Sequence, residues 1–320
     1  VLVFLRGGMD GLNLVPPIAG NDRGFYEEAR PSLNIATSGT YGALPLTLAD
    51  GSATGFGLHP SATGLHGLWD AGRLAIVHSC GMPTVVTRSH FDAQLYLDLG
   101  TPGNQGSGTG WMTRAWAAQS GNAGAPTMPM LAVASRQPAN LLGATQALAM
   151  ASPTDFALNA GAWQWQQYRS GLPAGTKGVN ETMAALWSGR TGAELDGQRA
   201  DNALRVIGSQ AFTSTLPAGW PTTTFARQLW TVAQSIRFDL GMRFATVDLG
   251  GWDTHDGQGT AGSGYHFFQN KIAELSQALT AFYNELNTTG EADHNIQAER
   301  EEDVENAKLR MRTQAWPPMA

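Results

Sequence analysis

A chain of 320 residues, 42% hydrophobic and only 14% charged, can bury a sizeable core, which excludes a disordered polymer. Its net charge of -6 and the lack of any Lys/Arg cluster argue against a nucleic-acid partner, and the single cysteine, Cys80, excludes an intrachain disulfide or a multi-thiolate metal site. No run of about 18 apolar residues occurs, so no transmembrane segment is expected.

In chain order, "VLVFL" (1–5) reads as a buried strand closed by Gly7 and Gly8 and followed by Asp10. Residues 19–57 are rich in Gly, Ser, Thr and Pro, and only "EARPSLNI" and "GALPLTLADG" look ordered. Leu65, Leu68 and Trp69 have helical spacing, and "RLAIVHS" (73–79) reads as a second strand. A helix over 89–99, a glycine-rich loop, a short helix over 111–118 and a buried strand in "MPMLAVAS" (128–135) come next.

Residues 136–175 carry no clear pattern. Helical patterns occupy 179–212 and 222–240, split by "STLPAGWP", and the strand "RFATVDL" leads into "GGWDTHDGQG". An amphipathic helix follows, with Phe268, Ile272, Leu275, Leu279 and Phe282 on one stripe. Alternating strands and helices predict an α/β fold: a largely parallel sheet with helices on both faces, formed by residues 1–290. Residues 291–312 hold 11 charged side chains in 22 positions and no apolar stripe, so 291–320 reads as a solvated tail that does not belong to the fold.

Three places carry chemistry. Asp10 follows the first strand through Gly-Gly, Asp253 and His255 follow "RFATVDL" through Gly-Gly, and Ser89–His90 follow "RLAIVHS" by a loop. In a parallel sheet the carboxyl ends of the strands share one edge, where α/β proteins keep their ligands. Carboxylate, imidazole and hydroxyl on one edge suit a divalent metal and a nucleophile. Each has a plainer reading: Asp10 as a turn residue, and Ser89 as a helix N-cap, since Ser89-x-x-Asp92 has capping-box spacing. Asp253 and His255 have no obvious packing purpose. His59, His66, His78 and His266 read as packing or surface histidines. "GSGTG" (106–110) lacks the Lys-Ser/Thr of a phosphate loop, and the absence of a G-x-S-x-G elbow weakens a serine-esterase reading.

The segments "VFLRGGMDGLN", "FGLHPSATGLHGLWDAGRLAIVHSCG", "RSHFDAQ", "GTGWMTR" and "LGGWDTHDGQ" together resemble the bacterial domain-of-unknown-function family 1501, of the alkaline phosphatase and sulfatase superfamily. The order and spacing of these motifs hold from residue 1 to about 290. The resemblance implies an alkaline-phosphatase-like fold in which Asp10 is a metal ligand, Ser89 the phosphate-accepting nucleophile, and Asp253 with His255 a second pair of ligands. Arg88, His90 and Asn13 would support them. It further implies export by the twin-arginine route, to the periplasm or beyond, with the signal preceding Val1.

The family continues with a Ser-Glu-Phe-Gly-Arg and a Gly-Thr-Asp-His-Gly motif, and neither occurs here. A frameshift or misplaced gene end near Asp293 is the expectation for that departure. The function expected is a hydrolase that uses zinc, calcium or manganese on a small phosphate or sulfate ester, with little activity in this chain as written. The alternative is an exported binding or scaffold protein that keeps the fold. Oligomeric state is left open.

Overall fold

The computed structural model describes residues 1–288 apart from 79, 83–84, 120–125, 154–157, 161–162 and 166–184. The charged segment 291–320, and the first residues of the helical pattern expected over 179–212, lie outside the described residues. Strand β1 (Leu2–Leu5) runs into helices α1 (Gly11–Leu14) and α2 (Gly20–Ala29). An antiparallel hairpin, β2 (Leu44–Thr47) with β3 (Ala53–Leu58), precedes α3 (Thr63–Asp70), α4 (His90–Leu99) and α5 (Trp111–Ala118). Then come β4 (Met130–Ala132), β5 (Ala147–Ala149) and a small hairpin of β6 (Leu158–Ala160) and β7 (Trp163–Trp165). Helices α6 (Gly192–Gly208) and α7 (Thr224–Arg237), strand β8 (Phe244–Leu249) and helix α8 (Phe267–Thr288) complete the described order.

Four strands pair in parallel in the order β1–β8–β4–β5. Parallel strands need both faces covered, and the period-2 alternation of side chains sorts the apolar residues accordingly. Val3, Leu5, Leu131, Ala245, Val247 and Leu249 join the larger core cluster. Leu2, Met130, Ala132 and Phe244 join a second cluster on the opposite face. Helices α7 and α8 cover the first face through Phe225, Leu229, Val232, Phe268, Ile272 and Leu275. Met112 and Trp116 of α5 cover the second. The protein is therefore α/β, with a parallel sheet between helices.

Helical spacing explains the covering elements. Phe225, Leu229 and Val232 recur at the 4- and 3-residue steps of one face of α7, and Thr223 caps it by accepting from the Ala226 N–H at 3.1 Å. Each fully buried Leu, Val or Phe side chain contributes about 1.5–3 kcal/mol relative to exposure. Among the described residues no helix is long and apolar enough to cross a membrane.

Two local expectations are corrected. Residues 73–78 form no strand, although "RLAIV" has the composition of one. Leu74 and Ile76 pack against the core, while Val77 is exposed, and no described strand pairs with the segment. Strand propensity without a ladder partner leaves irregular chain. Second, α2 and the β2–β3 hairpin occupy a stretch that reads as mostly loop. Helix α2 starts on Gly20 with no side-chain cap at Ala19. It is held by tertiary bonds: Tyr26 donates to Asn13 Oδ1 at 2.6 Å and accepts from the Ile35 N–H at 2.9 Å.

Candidate functional site

The site lies where β1 and β8, parallel and in register from Leu2↔Thr246 to Leu5↔Leu249, release their chains at the same end of the sheet. The two segments stay in touch past the ladder: Arg6 N–H donates to Leu249 O at 2.9 Å, and Trp252 N–H donates to Arg6 O at 3.3 Å. Gly7, at φ +122°, lies so close to the β8 loop that a Cβ there would stand 2.5 Å from Asp253 N. A Cβ on Gly8 would meet the His90 ring, at 2.9 Å from Cε1 and 3.1 Å from Nε2. Glycine is thus required at the first position, for conformation and approach to backbone, while at the second its lack of a side chain leaves room for the His90 ring.

Helix α4 is brought to this edge by Arg6. Its guanidinium donates to Asp98 at 2.7 Å in the last turn of α4 and to Asp248 at 2.9 Å in β8, and it stacks 4.1 Å over the Phe4 ring. Burial pushes the Asp98 carboxyl above its usual range, against the opposing pull of Arg6. Ser89 caps the other end of α4, its Oγ accepting from the Asp92 N–H at 3.2 Å. The capping reading of Ser89 therefore describes its present contact. No described strand ends in the segment just before it, so Ser89 opens α4 from a loop and not from a strand end, and it is its neighbour His90 that touches Asp253. Arg88 is exposed on the loop just before it.

Asp253 and His255 meet, and His90 joins them. His90 Nε2 stands 3.3 Å and His255 Nε2 3.4 Å from the same oxygen, Oδ1, of Asp253. All three remain open to solvent, with side-chain exposures of 43%, 82% and 46% for His90, His255 and Asp253. His255 adopts φ +46°, a left-handed conformation that a residue with a Cβ rarely holds without cause.

Asp10 sits at the same end of the sheet but is engaged differently. Arg30 binds its carboxylate with two bonds, Nε to Oδ2 at 3.0 Å and an Nη to Oδ1 at 2.9 Å. Gln258 adds a bond to Oδ2 at 3.1 Å, and the Asn13 N–H one to Oδ1 at 3.3 Å. Asp10 is thus the N-cap of α1, tied through Gln258 to the segment that carries Asp253 and His255. Asn13 is buried and structural here: its Nδ2 donates to Leu33 O at 3.0 Å, and its Oδ1 accepts from Tyr26.

Behind the loop, His59 is fully buried, edge-on to Phe268 with ring centroids 5.7 Å apart. Trp252 packs on the same ring, also at 5.7 Å. Burial lowers the His59 pKa to about 4, the Thr260 backbone pulling the other way, and its Nε2 has no hydrogen-bond partner.

Among the described residues, no three His, Cys, Asp or Glu side chains stand ready-made as a metal shell. Carboxylate oxygen and imidazole nitrogen, the groups that Asp253, His255 and His90 bring near one another, are donor types that divalent ions such as zinc accept. Asp10, with both oxygens bound by Arg30, does not fit one as it stands. Sequence spacing singled out Asp253 and His255 but assigned Arg30 and Gln258 no part, because their partners are distant in sequence. Comparison of the chain with family models, curated proteins and solved structures returns no match.

Proposed function

We propose that this protein is a metal-dependent hydrolase of a phosphate or sulfate ester, with Asp253 and His255 binding the ion and His90 beside them. One observation carries the reading: two imidazoles converge on one exposed carboxylate oxygen at a strand-end edge, and one of them sits on a strained backbone. Such strain persists where surrounding structure enforces it and clusters at functional positions. A zinc, calcium or manganese ion there would lower the pKa of a bound water or alcohol.

Ser89 is the proposed nucleophile. Its Oγ accepts an N–H from its own helix, which leaves the hydroxyl proton free to be withdrawn and favours the resulting anion. An anionic ester beside this helix start would be favoured by the same dipole. The family resemblance and its implied export support the same reading.

A second reading, a non-catalytic binding or scaffold protein, draws on Asp10, whose carboxylate is saturated by Arg30, Gln258 and Asn13. Metal analysis of the purified protein, with assays on a panel of phosphate and sulfate esters, separates the two. A stoichiometric ion and turnover lost in Asp253→Asn support the hydrolase. Neither metal nor turnover supports the scaffold.

A further inference from the structure

Asp10 is an expected metal ligand whose contacts point elsewhere. An ionised carboxylate offers about four lone-pair positions, two on each oxygen. In Asp10 each oxygen already has two donors. Arg30 and the Asn13 N–H meet Oδ1 at 2.9 and 3.3 Å, and Arg30 and Gln258 meet Oδ2 at 3.0 and 3.1 Å. The Arg30 pair is two-pronged and charge-assisted, and the side chains keep only 12% exposure at Asp10 and 22% at Arg30. Arg30 is itself seated over the Tyr26 ring, 5.5 Å from its centroid.

Gln258 carries this anchorage to the candidate site. It is buried, and it closes the single turn His255–Gly257. Its side chain donates to Asp10, as a carboxylate demands, and its main-chain oxygen accepts the Phe268 N–H of α8 at 2.9 Å. At the other end of the same loop, Trp252 N–H donates to Arg6 O at 3.3 Å. The stretch from Trp252 to Gln258 is thus tied at both ends to the shorter stretch from Arg6 to Asp10. Its excess length folds back in the turn, where Gly257 N–H donates to Thr254 O at 2.8 Å and His255 takes φ +46°. A left-handed residue with a Cβ persists where its surroundings enforce it. On the carboxyl side of His255, the bond from Gln258 to Asp10 supplies that enforcement.

We infer that Asp10 is a positioning residue and not a metal ligand: locked by Arg30, its carboxylate holds Gln258 and thereby the backbone bend that presents His255. This departs from the role that the family resemblance implies for Asp10. It rests on the proposed function only in taking His255 as part of the site.

The test reads His255 by NMR in the full chain, isotope-labelled in histidine alone, its signals assigned by their loss in His255→Gln. The Cα shift and the amide coupling of His255 report φ. In metal-free Gln258→Leu and Asp10→Asn both should move alike, toward right-handed values, while the signals of His66 on α3 stay in place. In the Asp10→Asn/Gln258→Glu exchange, which returns one amide and one carboxylate to the contact, they should return to the parent position. A contact that serves stability alone would lower the melting temperature and leave His255 unmoved.

His255 signals unmoved in either single variant, or still displaced in the exchange, overturn the role. If Asp10→Asn does not fold, Arg30→Lys, which loosens the same carboxylate, takes its place. Titration with zinc, calcium or manganese separates this role from the proposed site. Affinity should fall by a similar factor, about tenfold or more, in Gln258→Leu and Asp10→Asn. Loss of the ion in Asp10→Asn with full retention in Gln258→Leu makes Asp10 a ligand, and this inference falls while the proposed metal site stands. A parent that binds none of the three ions removes the proposed site, and the His255 signals still decide the role of Asp10.

Discussion

At the scale of single residues, burial decides more than residue type. His59 is a histidine with no charged partner, and its Nδ1 accepts the Ser61 N–H at 3.1 Å, which fixes the neutral tautomer. With its pKa lowered by burial from 6.5 to about 4, the folded state prefers the uncharged ring. The stability this lends is fully present above about pH 6.5, where both states are neutral. It is lost as pH falls toward 4, because the unfolded chain takes up the proton first. At about 1.4 kcal/mol per unit, the window amounts to roughly 3 kcal/mol. Urea unfolding at pH 7 and pH 4.5 should therefore show a steeper acid loss in the parent than in His59→Gln. Equal losses would assign the acid sensitivity to other groups.

At the scale of elements, one feature shapes the start of α4 and another the meeting of the β1 and β8 ends. Ser89 combines a capping role with the proposed nucleophile, and substitution separates them. Ser89→Ala removes the cap and should cost about 1 kcal/mol of stability. Ser89→Asn keeps a good N-cap and no hydroxyl, so its melt should match the parent while ester hydrolysis is lost. An active Ser89→Asn protein would remove Ser89 from the chemistry.

Gly7 joins the β1 end to the β8 loop at φ +122°, with Asp253 N and Trp252 C within 2.5 and 2.9 Å of any added Cβ. Both obstacles are backbone, so Gly7→Ala should destabilise by about 3 kcal/mol or more, measured by denaturant unfolding. Gly8→Ala meets only a side chain and should be far milder.

At the scale of the whole molecule, the site is a solvent-facing edge feature of the sheet. The core reaches as far as Leu249 and Trp252, while Asp253 and His255 beyond them keep 46% and 82% side-chain exposure. Zinc should then add to stability by mass action without being required for folding. At a hundredfold excess over the dissociation constant the gain is about 2.7 kcal/mol, worth a few degrees in melting temperature for a chain of this size. A thermal scan with and without zinc should show that shift in the parent and none in Asp253→Asn. A parent protein that unfolds on chelation would make the ion structural.

Local pattern sufficed wherever an element's own residues specify it. The apolar runs of β1, β4 and β8, the stripe of α8 and the Ser89 cap of α4 needed no knowledge of distant partners, because period and capping chemistry are written within a dozen residues. The parallel α/β class followed from their alternation, and Asp253 with His255 stood out because Gly-Gly precedes them at a strand end. Tertiary structure decided the rest. Residues 73–78 have a strand's composition and no ladder partner, while α2 lacks a cap and is held by Tyr26. Asp10 received Arg30 and Gln258 as partners, the latter 248 residues away. His90 became the neighbour of Asp253 because Gly8 leaves room for its ring. Pairing across such separations depends on which surfaces the fold brings into contact, and no local period encodes that.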